Sequence, residues 1–158
     1  MTNELPQIQI YTDGSCLNNP GPGGYGVVLL WDNYRKELSG GFKRTTNNRM
    51  EIFAVIQGLK ALKKPSKVTI YTDSQYVVNA VTKGWAKKWQ KNNWQRNAKE
   101  KAKNPDLWQE LLQLCSQHQV NFVWVRGHSG NVENECCDRL AFTAAQGEYL
   151  PEDVNYDS

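Results

Sequence analysis

The sequence predicts an α/β fold in which a mixed β-sheet carries helices against its faces. Three observations lead there. Strand-like runs open the chain, and strand and helix patterns alternate after them. Two of the strands end on nearly the same tetrapeptide, Tyr11-Thr-Asp13-Gly and Tyr71-Thr-Asp73-Ser. The chain between those two strands is long enough for a crossover that makes them parallel neighbours.

The elements follow in order. Ile8-Gln-Ile-Tyr-Thr alternates apolar and polar residues and then meets Asp13-Gly-Ser, a strand ending at a turn. Asn18-Asn-Pro-Gly-Pro-Gly-Gly reads as a turn-rich loop, and Tyr25-Gly-Val-Val-Leu-Leu-Trp as a buried strand. Asp32-Asn33 is a hairpin turn into Arg35–Phe42, so the first three strands are read as antiparallel. Thr45-Thr-Asn-Asn-Arg-Met-Glu opens a helix that Thr46, Asn47 or Asn48 can cap. Its apolar residues Met50, Phe53, Ala54, Ala61 and Leu62 recur at helical spacing until Pro65 stops the run. Val68-Thr-Ile-Tyr-Thr is the next strand. Helical patterns cover Gln75–Val81 and Leu107–His118, on either side of a basic block. Val120-Asn-Phe-Val-Trp-Val is a last strand, Arg126–Asn131 a glycine-punctuated loop, and Glu133–Ala145 a last helix. One domain is expected over residues 1–147. From Glu148 the chain carries Pro151 and four acids, read as a frayed, flexible acidic tail over 148–158.

Composition narrows the function classes. The 158 residues make one domain's worth of chain, and 39% apolar residues with six Trp, seven Tyr and four Phe furnish a core. A wholly disordered chain is thereby excluded. The longest apolar runs, such as Tyr25–Trp31, are too short to span a bilayer. The opening Met-Thr-Asn-Glu-Leu-Pro has no basic stretch followed by an apolar one, which gives the expectation of a cytoplasmic protein without a membrane partner. Cys16, Cys115, Cys136 and Cys137 form no C-x-x-C pair, so reduced thiols are expected rather than a disulfide framework or a zinc knuckle. Net charge is +3 but unevenly spread. From Lys83 to Lys103 eight basic residues face one acid, Glu100, a local +7, while the other 11 basic and 15 acidic residues leave −4 elsewhere. Such a block points to a polyanion-binding face.

The carboxylates carry the chemistry. If their strands are parallel neighbours, Asp13 and Asp73 emerge at the same carboxyl edge, where open α/β sheets usually bind ligands. Glu51 in the first turns of its helix and Asp138 in the last helix would complete a cluster. Four carboxylates in close quarters cannot all stay ionised unless cations neutralise them, and hard divalent ions with oxygen ligands do so. Taken singly, each has a structural use. Asp13 and Asp73 suit turns or caps, Glu51 suits a helix dipole, and Asp138 suits a solvated helix face. The repeated Tyr-Thr-Asp lifts the pair above those uses.

These four residues sit in four of six ordered motifs: Tyr11-Thr-Asp-Gly-Ser, Asn18-Asn-Pro-Gly-Pro-Gly-Gly-Tyr-Gly, Thr45-Thr-Asn-Asn-Arg-Met-Glu, Tyr71-Thr-Asp-Ser-Gln-Tyr-Val, Trp124-Val-Arg-Gly-His-Ser-Gly and Asn134-Glu-Cys-Cys-Asp138. In this order and at these separations the chain resembles bacterial type 1 ribonuclease H from about Ile8 to Ala145. The resemblance implies a ribonuclease H-like fold, a five-stranded mixed sheet with three antiparallel strands, two parallel additions and helices on both faces. It implies an endonuclease that hydrolyses the RNA strand of RNA–DNA hybrids, leaving 3′-hydroxyl and 5′-phosphate ends. Asp13, Glu51, Asp73 and Asp138 would be the metal ligands, for two Mg²⁺ ions with substrate and with Mn²⁺ as a substitute. His128 matches the family's active-site histidine, for proton transfer or product departure in a mobile loop.

The resemblance also assigns a substrate grip. Backbone groups over Gly14–Cys16, with the side chains of Asn47 and Gln75, would contact RNA, and Asn19, Asn47 and Asn48 would lie along the minor groove. Arg44, Thr46 and Asn104 match a pocket for one phosphate of the DNA strand. The segment at about 83–103 resembles the family's basic protrusion, with Trp85 stacking on a DNA sugar and Lys87, Lys88 and Lys91 meeting phosphates. Composition alone also allows a solvated lysine face over an aromatic mini-core, and Trp89, Trp94 and Trp108 are expected in the core. Other readings keep the fold and change the role: a junction resolvase or transposase, a silent nucleic-acid-binding module, or a polymerase domain. The Arg44–Glu51 pattern beside a basic protrusion counts against the first, the full carboxylate set against the second, and ends that read like those of a free-standing protein against the third. Without an oligomerising heptad, a monomer is expected.

Overall fold

The computed structural model describes residues 5–127 and 129–156. In chain order the elements are β1 (Gln7–Cys16), β2 (Gly21–Trp31), β3 (Tyr34–Thr45), α1 (Asn47–Lys60), β4 (Lys67–Thr72), α2 (Gln75–Thr82), α3 (Trp85–Lys91), α4 (Pro105–Ser116), β5 (Gln119–Trp124) and α5 (Val132–Ala145). The strands form one sheet in the order β3-β2-β1-β4-β5. β1, β2 and β3 pair antiparallel, and β4 and β5 add parallel to β1, as the sequence predicts.

The repeated tripeptides lie in register. Tyr11 is opposite Tyr71 and Thr12 opposite Thr72, and the two tyrosine rings stack with centroids 4.5 Å apart. Asp13 and Asp73, the next residue after each threonine, therefore lie at the same level. The first three strands reach further than expected: β2 begins at Gly21 and β3 ends at Thr45. β1 does not stop at Asp13 but runs on to Cys16, with Asp13 opposite Gly26 and Ser15 opposite Gly24. Glycines that read as a loop belong to a strand, and packing explains them. A Cβ on Gly24 would run into the Ala141 carbonyl of α5, so this helix lies directly on the backbone of β2.

Strand alternation divides the interior into two layers. Ile8, Ile10, Val27, Leu29, Val68 and Ile70 face α1, α2 and α4, meeting Ile52, Val55, Ile56, Leu59, Val77, Trp108 and Leu111. On the other face Val28, Tyr11 and Leu30 meet Cys136, Cys137 and Leu140 of α5. The adjacent cysteines thus serve packing, and the Cys137 thiol donates to the Tyr11 carbonyl at 3.2 Å. Trp108 is fully buried, whereas Trp89 and Trp94 are only half-buried against the same cluster. All four cysteines are free, and among the described residues no helix is long and apolar enough to cross a membrane.

The segment after α5 departs from the frayed tail that its acids suggest. Lys43 donates its backbone N–H to the Pro151 carbonyl at 2.8 Å. Asp153 accepts from Arg49 Nε at 2.7 Å and from the Thr45 hydroxyl at 2.8 Å. Arg49 is 3% exposed and also holds Asp106 through two bonds of 3.0 and 2.8 Å. A buried guanidinium needs compensating charge, and the tail supplies half of it. Its acidic composition therefore reflects a docking contact as well as solvation.

Candidate active site

β1, β4, α1 and α5 each deliver one of the four acids to the carboxyl edge of the parallel strands. Asp13 lies within β1, and Asp73 is the first residue beyond β4. Glu51 comes one turn into α1, whose entry is held from two sides. The Thr46 hydroxyl accepts from Arg49 N–H at 3.1 Å, and Asn19 Oδ1 in the β1–β2 loop accepts from Asn47 N–H at 3.1 Å. Of the three candidate caps, Thr46 takes the position, and Asn19 is a second anchor that local sequence does not reveal. Gly14 lets α1 come close, since a Cβ there would sit 2.5 Å from the backbone of Met50 and Glu51. Its N–H donates to Asp13 Oδ1 at 3.0 Å and to Glu51 Oε1.

Asp13, Glu51 and Asp73 each place a carboxylate oxygen within 4.8 Å of the others. Asp138 lies outside that tight trio but lines the same open cleft, of about 430 Å³. The Asp13 carboxyl is held well above the ordinary carboxylate range, first by burial and then by the charges of Glu51 and Asp73. Glu51 is raised as well. Burial is the largest cause and the Asp73 charge adds to it, against relief from its hydrogen bonds with Asp13 and Gly14. The donor set is all oxygen, closely spaced and over-supplied with negative charge, which fits a hard divalent cation. Two features around Asp73 were not read from sequence. Trp124 Nε1 donates to the Asp73 carbonyl at 3.0 Å, and a Cβ on Gly127 would lie 2.8 Å from Asp73 Oδ2. His128 lies outside the described residues.

The predicted substrate-contact residues divide into three groups. Gly14, Cys16, Asn47 and Asn48 line the carboxylate cleft, with both asparagine side chains exposed. The Cys16 thiol donates to the carbonyls of Gly21 and Thr45 at 3.3 Å each, tying the β1–β2 loop to the end of β3. Gln75 is exposed at the start of α2. Asn48 also borders a second groove with Tyr76, Trp85, Lys88, Trp89, Lys101 and Lys103. Trp85 is 40% exposed, and the Lys83 ammonium lies 5.4 Å from its ring centroid. Lys87 and Lys91 turn instead toward a separate groove against α4, beside Gln109 and Gln113, with Lys88 bordering both. Only α3 of the basic block is helical. Beyond it Asn93, Trp94 and Asn104 take left-handed backbone angles, and Gln95 bridges to Lys101.

Arg44, Thr46 and Asn104 form the third group. Arg44 is exposed, with its Cζ 5.9 Å from the Tyr156 ring centroid, and Arg49 Cζ lies 5.9 Å from the same ring. Asn104 precedes α4 and makes no side-chain cap. Its Oδ1 accepts from Arg49 Nη1 at 3.3 Å, and its Nδ2 donates to the Tyr76 hydroxyl at 3.4 Å. Arg44 and Asn104 are thus gathered around Arg49 and Tyr156, which sequence reasoning passed over. The available signal was a charged residue, Arg49, immediately before the buried run that starts at Met50.

Comparison with known proteins agrees with this geometry. The family profile described as RNase H matches residues 6–146. A ribonuclease H of Trichodesmium erythraeum is 63% identical over 156 residues, covering 99% of each chain. Among solved structures, LC9-RNase H1, described as a type 1 RNase H with the type 2 active-site motif, superposes with a TM-score of 0.83 at 34% identity, over 95% of this chain and 77% of that one. LC11-RNase H1, solved in complex with an RNA/DNA hybrid, shares the fold at 24% identity with a TM-score of 0.67, over 87% of this chain and 96% of that one. With its sheet order, its carboxylate cluster and these relatives in agreement, the chain belongs to the ribonuclease H family, as an enzyme of the bacterial type 1 branch.

Proposed function

We propose that this enzyme hydrolyses the RNA strand of RNA–DNA hybrids, using two Mg²⁺ ions held by Asp13, Glu51, Asp73 and Asp138, and leaves 3′-hydroxyl and 5′-phosphate ends. The observation that carries the reading is the trio of carboxylates within 4.8 Å, in a cleft that continues through Asn48 into an aromatic and basic groove. When bound, the ions would supply a water of lowered pKa and charge neutralisation at the scissile phosphate. The chain supplies the rest. The Gly14 N–H fixes the Asp13 and Glu51 carboxylates against each other, and Trp124 and Gly127 set the position of Asp73. His128 transfers a proton or assists product departure. No Ser or Cys nucleophile is needed.

Strand choice follows from donor and acceptor chemistry. The amides of Asn19, Asn47, Asn48 and Gln75, with the Gly14–Cys16 backbone, read 2′-hydroxyls across the minor groove, since an amide both donates and accepts. Arg44, Thr46 and Asn104 hold a phosphate of the DNA strand. The Thr46 hydroxyl accepts from the helix N–H and keeps its own proton to donate. Trp85 favours a deoxyribose, and Lys87, Lys88 and Lys91 add attraction that does not depend on base sequence. On this reading residues 1–147 act as one catalytic domain of a cytoplasmic monomer, in line with the four free thiols.

The test compares three duplexes in one assay, with Mg²⁺, with Mn²⁺ and with EDTA. The hybrid is cut with either metal, duplex DNA resists and duplex RNA is poor. Cleavage that persists in EDTA, or duplex DNA cut as fast as hybrid, overturns the proposal.

A further inference from the structure

The segment after α5 reaches the proposed DNA-phosphate pocket from outside the catalytic domain, and it treats the two nearby arginines differently. To Arg49 it offers charge through Asp153, with the Tyr156 ring 5.9 Å away as well. To Arg44 it offers the ring of Tyr156, at the edge of the ~6 Å range for cation–ring attraction. Among the described residues no carboxylate pairs with Arg44. A carboxylate would neutralise that guanidinium before any phosphate arrived. A ring narrows its side-chain freedom and leaves the charge and the planar fork of donors available. Arg49, fixed by Asp153 and Asp106, donates to Asn104 Oδ1 and so sets the amide orientation. The second N–H of that amide remains available for an anion.

We propose that the C-terminal strap, residues 151–156, is a positioning element of the DNA-phosphate pocket, with Tyr156 orienting Arg44 and Asp153 orienting Asn104 through Arg49. This rests on the reading of Arg44, Thr46 and Asn104 as a phosphate pocket. The strap is anchored independently of substrate by the Lys43–Pro151 and Thr45–Asp153 hydrogen bonds, so it presents the ring before binding.

The experiment measures kcat and KM on an RNA–DNA hybrid for the wild type, Tyr156→Ala, Tyr156→Phe, Arg44→Ala and the Arg44→Ala/Tyr156→Ala pair, each shown folded by its melting curve. Tyr156→Ala raises KM about two- to tenfold with little change in kcat, and Tyr156→Phe, which keeps the ring, restores the wild-type value. The double variant is no worse than Arg44→Ala alone. Hybrids carrying one neutral methylphosphonate in the DNA strand then locate the contact. At one position the Tyr156→Ala penalty disappears. Asp153→Asn, assayed well below its melting temperature, gives a KM rise that disappears at the same position. If Arg44→Ala leaves KM unchanged, the pocket reading itself fails and the proposal goes with it. If Arg44→Ala raises KM while Tyr156→Ala does not, the strap proposal alone is overturned. Loss with Tyr156→Phe equal to that with Tyr156→Ala, or penalties that persist at every methylphosphonate position, also overturns it.

Discussion

Replacing Asp13 with Asn should stabilise the metal-free protein while abolishing metal-dependent cleavage. Asp13 is 5% exposed and faces the carboxylates of Glu51 and Asp73 within 4.8 Å. At that separation a pair of like charges repels by about 3.5 kcal/mol for an effective dielectric of about 20. Taking up a proton at pH 7 limits the penalty to about 4 kcal/mol, because an ordinary carboxyl titrates some three pH units lower. The expected gain for Asp13→Asn is therefore about 3 kcal/mol at pH 7, or roughly 6–12 °C in Tm for a chain of this size. An asparagine keeps the acceptor for Gly14 N–H and can donate to Glu51. The pH dependence has a definite sign. Asp13 and Glu51 have raised values, so the folded state holds protons that the unfolded state has released. Wild-type stability at this site is fullest below the unfolded carboxyl range near about pH 4, and is lost as pH rises through the raised folded values. The assay is thermal unfolding of both proteins in EDTA from pH 4 to 8, repeated with Mg²⁺. The gap opens with pH and narrows with Mg²⁺, which stabilises only the intact cluster. A gap that is absent at pH 8, or constant across the range, would refute the reasoning.

Two other outcomes follow from the same geometry, and a third from the motif that holds His128. Replacing Lys87, Lys88 and Lys91 with Ala raises KM more than it lowers kcat and lessens the salt slope of KM by up to about 3, and an unchanged KM at moderate salt shows that the block is no substrate grip. Arg49→Ala leaves Asp106 and Asp153 facing each other without their cation, and urea unfolding should show a loss of about 3 kcal/mol. His128→Ala slows turnover by about 10²-fold or more without abolishing it, as read from kcat at saturating hybrid.

Much of this arrangement was legible because it is periodic or repeated. The Tyr-Thr-Asp repeat announced two parallel strands in register, and the 3.6-residue spacing from Met50 onward placed Glu51 on the helix between them in sequence. The glycines of β2 misled because glycine marks a turn and a close helix approach with the same letter, and only the position of α5 distinguishes the two. The Arg49 network was invisible for a different reason. Its partners, Asp106 and Asp153, lie on other elements far along the chain, and no local pattern pairs an arginine with one acid rather than another. The acids after Glu148 resembled a solvated tail because charge-rich composition is common to disorder and to a buried ion pair's outer half. The lysines of the basic block were grouped by sequence, whereas α3 sends Lys87 and Lys91 toward α4 and Trp85 toward the groove that Asn48 borders.

The central claim is that the side chains of Asp13, Glu51 and Asp73 share a cation. A crystal soaked in Mn²⁺, with data collected at the manganese absorption edge, tests it most directly. An anomalous peak is expected at coordination distance from oxygens of all three residues, absent from Asp13→Asn crystals treated alike. A cleft without a peak at saturating Mn²⁺, or ions bound only elsewhere on the surface, would contradict it.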